Sequence, residues 1–286
     1  YVFNFKDDFR EKVIKKFASG YLRGQTPNPC IDCNRYMKFD KLFERAKLLG
    51  CDKLVTGHYA RIEFDGRKYQ LKKALDKSKD QSYVLYMLTQ EQLAHTLFPL
   101  GSLHKTDTRA IADAADLSSA RKPDSQDICF VPDGDYAAAI ERLAGEKAPC
   151  GNFIDASGKV IGTHRGITHY TVGQHRGLGL SLPERRYVCG IDAESGTVTL
   201  GGSDELYSST AEVRDFNWIS GEAPSEPIRC TAKIRYRQPE QPATAIARSD
   251  GSVTLHFDAP QRAVTPGQAA VLYDGDTVLG GGEIVK

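Results

Sequence analysis

Thr26-Pro27-Asn28-Pro29-Cys30-Ile31-Asp32-Cys33-Asn34-Arg35 is the stretch from which the rest of this chain can be read. Neither proline can donate a backbone hydrogen bond, so the segment reads as a stiff loop. A helical pattern follows it, with Phe39, Leu42, Phe43, Ala46 and Leu49 on one face. Two thiols therefore sit on a stiff loop that runs into a helix. Beyond Gly50, Lys53-Leu54-Val55-Thr56-Gly57-His58-Tyr59 reads as a short buried strand ending in Gly-His. Helix, apolar strand, glycine is the rhythm of a parallel α/β sheet. Ligands in such sheets lie at the carboxyl ends of strands, where Gly57 and His58 fall. A histidine there has a structural reading as well; its place after the strand favours function.

The bulk properties fit a soluble fold of two or three domains: 286 residues, 40% hydrophobic and 26% charged. No apolar run approaches the roughly 18 residues of a membrane span, and no secretory signal is visible. The expected setting is cytoplasmic, with no membrane partner. The net charge of +1 is unevenly spread, +9 over residues 1–79 and −8 over the remainder. A basic first part suits an anionic partner such as nucleic acid, and equally a solvated surface. Seven cysteines, an odd number in a long chain, argue against a secreted disulfide framework and for a reducing compartment with functional thiols.

Taken in order, Phe9, Val13 and Phe17 predict a helix before the first thiol loop. A hairpin follows, Arg61–Phe64 and Lys68–Leu71 around Asp65-Gly66. The polar stretch Lys77–Tyr83 leads into a predicted helix carrying Tyr83, Leu85, Tyr86 and Leu88. Its lysines suit a phosphate backbone, or simply a solvated helix start. Thr106 is the predicted N-cap of a helix through Leu117. A second thiol loop, Asp124-Ser125-Gln126-Asp127-Ile128-Cys129-Phe130-Val131, precedes a helix over 134–145. From about residue 150 short β-rich runs alternate with glycine turns, among them Lys159–Ile161, Tyr187–Ile191, Ala211–Trp218, Arg229–Tyr236 and Ala269–Tyr273. That spacing predicts barrels or sandwiches. Gly173-Gln174-His175-Arg176-Gly177-Leu178-Gly179 is basic and glycine-rich but lacks the frame of a phosphate loop. The expected organisation is an α/β domain at 1–137, a small β-rich domain at 138–207 and an all-β barrel at 208–286.

Three chemistries compete for Cys30-x-x-Cys33. A zinc site needs two more ligands, which Cys51 and His58 would have to supply. A thioredoxin-type pair opens a helix directly after a strand, whereas this one follows a proline loop. In the third, one thiol works with a distant cysteine in persulfide and disulfide exchange. Cys129 fits that partner role, since basic residues precede it; Asp124 and Asp127 act in the opposite sense. Spacing alone does not choose among the three.

A larger set of strings does. Thr26-Pro27-Asn28-Pro29 with Cys33-Asn34, Thr56-Gly57-His58-Tyr59, Lys79-Asp80-Gln81-Ser82-Tyr83, Asp127-Ile128-Cys129-Phe130, Gly173-Gln174, Arg235-Tyr236-Arg237-Gln238 and Pro266-Gly267-Gln268 occur in that order. Together they resemble the bacterial tRNA-specific 2-thiouridylase family over essentially the whole chain. The resemblance implies an ATP-pyrophosphatase domain of partial Rossmann-like α/β type, a central domain and a C-terminal β-barrel. It implies ATP-dependent (Mg-ATP) replacement of O2 of the wobble uridine by sulfur, in the anticodon arm of tRNAs for Lys, Glu and Gln. By the same resemblance Cys129 holds a persulfide delivered by a sulfur-relay protein or cysteine desulfurase, and Cys33 closes a disulfide with it. Gly57 contacts ATP. Asn28, Pro29 and Cys30 line the target base. His58, Lys79, Asp80, Gln81, Arg235, Tyr236 and Gln268 touch tRNA, and no metal is expected in the thiol site.

Two departures stand out. Many members of the family carry Asp where this chain has Cys30, and Asp32 is shifted from that place. The family also opens with a strand and a Ser-Gly-Gly-x-Asp-Ser phosphate loop that nothing here matches. The expectation is therefore a chain that begins inside the catalytic domain. Read strictly as 286 residues, it is expected to bind ATP poorly, and a non-catalytic tRNA-binding remnant is the alternative to the enzyme.

Overall fold

The computed structural model describes residues 1–118, 120, 121, 128–145 and 147–286. Its first layer is helical. One helical run covers residues 6–22 and another residues 29–48, and in both the middle turns, Arg10–Lys15 and Cys33–Leu42, are π-wound. The second run starts at Pro29, inside the stretch the sequence reads as loop, so Cys30 and Cys33 are already helical. Asn28 is its N-cap, accepting from the Cys30 amide at 3.1 Å, and Pro29 occupies the first turn, where no amide donor is required. Ile31, Phe39 and Phe43 face inward. Beside these helices lies a two-stranded parallel pair, β1 (Leu54–Val55) and β4 (Thr96–Leu97).

The hairpin of β2 (Ala60–Phe64) and β3 (Tyr69–Lys73) forms as expected, its turn held by the Asp65 carboxylate accepting from Arg67 N and Lys68 N. It then does something the sequence does not announce: β3 pairs with β14 (Thr277–Ile284) at the end of the chain, extending the C-terminal sheet.

The middle unit is a four-stranded sheet in the order β6-β5-β8-β7, built from β5 (Gly151–Ile154), β6 (Val160–His164), β7 (Tyr187–Asp192) and β8 (Thr197–Gly201). Phe153, Val188, Val198 and Leu200 form its core. The last unit is a closed six-stranded barrel. Its strands are β9 (Tyr207–Trp218), β10 (Ile228–Lys233), β11 (Gln241–Ala247), β12 (Val253–Arg262), β13 (Ala269–Asp274) and β14 (Thr277–Ile284), and β13–β14 pairing closes the ring. Small side chains, Ala211, Ala232, Ala243 and Ala245, share the interior with Val213, Val253, Leu255 and Leu272, the filling a narrow barrel needs.

Two predicted elements are corrected. The helix expected at Tyr83–Leu88 is absent: only Ser82–Val84 makes a single 3₁₀ turn, and every residue from Ser82 to Leu88 is buried. The strip is wedged between the helix of residues 29–48 and the barrel wall, so apolar side chains on all sides, not one face, are rewarded. Buried loop backbone needs donors, and two asparagines supply them. Asn34 Nδ2 donates to Val84 O (3.1 Å), and Asn217 Nδ2 donates to Tyr86 O (2.7 Å) and Leu88 O (3.1 Å). The other correction is the helix capped by Thr106. It runs Lys105–Ala114 with His104 as N-cap, because Asp107 accepts from the His104 amide.

Gly280, Gly281 and Gly282 explain how the strip fits. A Cβ on Gly281 would lie 2.7 Å from the Tyr86 ring, and one on Gly280 would lie 2.3 Å from Asn217 O. Replacing Asn217 by Ala strips two carbonyls of their donor. The expected cost is about 2–3 kcal/mol, read as a lower urea midpoint at unchanged slope.

Candidate active site

Three thiols meet at the start of the helix of residues 29–48. Cys30 and Cys33 are one turn apart, and Cys129 faces them from the second thiol loop. All are free, Cys30 and Cys129 exposed and Cys33 half-buried. They lie close enough to influence one another. The Cys30 thiol is pushed up by crowding from the protein, then by Cys33 and Cys129. The Cys33 thiol is also pushed up, chiefly by burial and further by Cys129 and Asp32, while Lys38 pulls it down. Cys129 is placed by its neighbour. Phe130 packs edge-on against Phe17 (5.4 Å) and Phe9 (6.0 Å), tying the second loop to the first helix. Asp124 and Asp127 lie outside the described residues.

The loop carrying Asn28, Pro29 and Cys30 is held from both sides. Gly20 lets Pro27 lie against the first helix, since a Cβ there would be 2.8 Å from the proline ring. From the barrel, Pro266 O accepts from Thr26 N at 2.9 Å, and Gln268 Nε2 donates to Thr26 O. Gly267, with φ of +87°, passes so close that a Cβ would sit 2.8 Å from Thr26 N. Behind the loop is a cavity of about 30 Å³, room for a water, lined by Lys16, Asp32, Arg35, Tyr86, Asp215 and Glu283 among others. Asp32 is buried there and bound to Lys16 at 2.7 Å. Burial pushes the Asp32 carboxyl up, an effect the Lys16 ammonium partly offsets. This carboxylate is committed to an ion pair.

The other predicted positions divide into two groups. Tyr236 comes to the thiols from the barrel, 39% exposed, its ring 5.8 Å from Tyr83 and its hydroxyl donating to Asp80 O at 3.3 Å. Burial raises its phenol, and Asp80 and Cys30 add to the rise, so it stands near the Cys30 thiol. Lys233 spans the Tyr83 and Tyr236 rings at 5.8 and 5.6 Å. Lys79 is half-buried on the neighbouring loop. Gly57 is exposed at the carboxyl end of β1, where a Cβ would meet only Leu100 at 3.6 Å, leaving open space for a ligand.

The second group is turned inward. Asp80 accepts from Ala74 N (2.9 Å), Ser82 N (3.3 Å) and Ser82 Oγ (2.7 Å). Gln81 accepts from Tyr59 N at 2.9 Å. Arg235 Nη2 donates to Val172 O (3.0 Å), Ala263 O (3.2 Å) and Thr265 Oγ1, joining the middle unit to the barrel. His58 is buried against Phe39 and Phe98, its Nδ1 2.7 Å from Thr56 Oγ1 and its Nε2 3.3 Å from Lys38 Nζ. An ammonium only donates, so Nε2 accepts and Nδ1–H donates to Thr56. Sequence reasoning missed Lys38, because a five-residue step from Cys33 leaves the face of an α-helix; the π-winding brings it back. Among the described residues no group of three His, Cys, Asp or Glu side chains is placed to hold a metal.

His58 carries its own pH dependence. Burial, and then the Lys38 charge, lower its pKa from the ordinary 6.5 to about 3. The unfolded chain therefore binds a proton at higher pH than the folded one, and stability falls as the pH drops from about 6.5 towards 3. The His58 ring resonances are expected not to titrate between pH 5 and 8 by NMR. A His58→Asn variant should show a shallower loss of stability across that acid window.

The sequence is similar to known families along nearly its whole length. Three family models match in succession: the tRNA methyl transferase HUP domain over residues 1–133, the tRNA methyl transferase PRC-barrel domain over 139–202, and the aminomethyltransferase beta-barrel domain over 208–284. The protein named tRNA-specific 2-thiouridylase MnmA in Acetivibrio thermocellus is 50% identical over 286 residues, covering 99% of this chain and 80% of that protein. MnmA 2 of Caldanaerobacter subterraneus subsp. tengcongensis is 51% identical over 288 residues, covering 100% and 79%. MnmA of Geotalea uraniireducens is 48% identical over 285 residues, covering 99% and 76%.

Proposed function

This chain belongs to the tRNA-specific 2-thiouridylase family, and from that premise we propose that it thiolates the wobble uridine of tRNA, with Cys129 carrying the sulfur and Cys33 releasing it. The observation that carries the reading is the meeting of Cys33 and Cys129, from loops about ninety residues apart, as free and mutually interacting thiols. Sulfur transfer needs two such thiols; methyl transfer, which the family descriptions also name, does not.

The chemistry balances as follows. ATP, when bound, makes the uridine C2 oxygen a leaving group, and exposed Gly57 at a strand end suits an edge of its site. Cys129 receives a persulfide from a sulfur-relay protein or cysteine desulfurase. The outer persulfide sulfur bonds to C2 as the oxygen departs. The Cys33 thiolate then attacks Cys129 Sγ, breaking the sulfur–sulfur bond and leaving sulfur on C2. The products are thiouridine, pyrophosphate, AMP carrying the departed oxygen, and a Cys33–Cys129 disulfide, which an external thiol must reduce before the next cycle.

The target base has to leave its stack to reach these thiols. Asn28, Pro29 and Cys30 border the place where it would enter, and the exposed Tyr236 ring offers it a stacking surface. Lys79 supplies charge for the phosphate backbone. Asp80, Gln81, His58, Arg235 and Gln268 serve by holding these loops, as their internal hydrogen bonds indicate. The substrates would be the tRNAs for Lys, Glu and Gln, in the cytoplasm.

The test is thiolation of tRNA by the native protein with ATP and a persulfide donor, read as 2-thiouridine by nucleoside mass spectrometry. Cys33→Ser and Cys129→Ser should each bring the product to background while tRNA affinity holds within about twofold. Product from either variant would remove the two-cysteine mechanism. Binding without product in the wild type would leave a tRNA-binding protein.

A further inference from the structure

We propose that Lys38, aimed by the buried imidazole of His58, is the positioning cation that keeps the Cys33 sulfur ready to attack. The inference rests on the two-cysteine reading of the site and adds to it a residue outside the predicted set.

Three observations converge on it. The first is winding. Cys33–Leu42 is a π-helical stretch, in which residue i+5 sits one turn below residue i. Lys38 stands five residues after Cys33, so the turn that starts at the thiol ends at the ammonium. The second is anchorage. Lysine has a flexible stem, and its charge is useful only where something fixes it. His58 Nε2 does so at 3.3 Å, with the ring locked from its other side by Thr56 Oγ1 at 2.7 Å and from its faces by Phe39 and Phe98. Since the ring accepts from Lys38, it stays neutral and adds no repulsion. The third is electrostatic. Lys38 is the cation that eases ionisation of both Cys30 and Cys33. Among the described residues the other influences on Cys33 oppose it: Cys129 from the second thiol loop, Asp32 on its own helix, and burial itself.

The need for such a cation follows from the reaction. The attacking species is a thiolate, and a half-buried thiol beside a second sulfur and a carboxylate resists losing its proton. An ammonium held one helical turn away stabilises the anion without itself bonding to the substrate. A lysine serving only as a contact for tRNA phosphates would instead point to the exterior and need no buried acceptor.

Site-resolved alkylation separates these roles. Native protein is treated with iodoacetamide across pH 6.5–10.5, and modification of Cys33 is followed by mass spectrometry of the peptide that contains it. Lys38→Met is expected to move the Cys33 midpoint up by about one pH unit, close to tenfold slower alkylation at a fixed pH below it. Lys38→Arg should restore the wild-type midpoint, and His58→Leu should shift it in the same direction as Lys38→Met. Circular dichroism melts identify any variant that fails to fold, and the Arg variant then carries the comparison through its thiolation pH profile. An unchanged Cys33 midpoint in folded Lys38→Met overturns the proposal, as does a loss of tRNA affinity with no change in the alkylation profile. Failure of the two-cysteine reading would look different: Cys33→Ser would still thiolate, while the alkylation shift in Lys38→Met persisted.

Discussion

The site depends on the position of one residue's backbone. Thr26 gives its amide proton to Pro266 O and takes a proton from Gln268 Nε2 on its carbonyl, across 240 positions of sequence. That clamp fixes where Pro27 and Asn28 lie, and Asn28 in turn caps the helix that displays Cys30 and Cys33. Gly267 is what allows the two loops to touch, because a side chain there would collide with Thr26 N. The barrel is thus a wall of the thiol site, contributing Tyr236 to one side and the Thr26 clamp to the other.

Burial raises the stakes of every polar group in this junction. The strip from Ser82 to Leu88 carries its backbone through the core, and it is tolerable because Asn34 and Asn217 meet its carbonyls. The same dry surroundings hold His58 neutral and push the Cys33 thiol up, an effect the Lys38 charge partly offsets. Low polarity makes the fold firm and Cys33 sluggish; a single fixed charge offsets part of the second effect without disturbing the first.

Much of this was legible in the residues. The helix through Phe39, Leu42, Phe43 and Ala46 was readable from its periodicity, but its start was not: the two prolines read as loop, whereas Pro29 opens the helix and Asn28 caps it. The β-rich second half was readable from turn spacing, and its closure into a ring followed from pairing that no local pattern encodes. The strip at 82–88 was misread because burial on all sides and burial on one face both appear as apolar runs. The site residues came chiefly from ordered strings. Those strings could not tell which members are turned inward, since Asp80, Gln81 and Arg235 are polar in either case. Lys38 was invisible because only the π-winding, a property of the folded helix, aligns it with Cys33.

The clamp on Thr26 also has a temporal meaning. A ribosome delivers the thiol loops long before it delivers Pro266, Gln268 and β14, and earlier units fold first as they emerge. Until that last strand is out, the loop of Pro266 to Gln268 that holds Thr26 lacks its bonds to Ile284, the barrel is an open ring and Tyr86 has no glycine-lined bed. A nascent chain therefore carries its reactive sulfurs in an unassembled state. The last strands are thus what complete the setting of the thiol loop, so a chain cut short within β13 or β14 loses packing at the thiols, far from the cut.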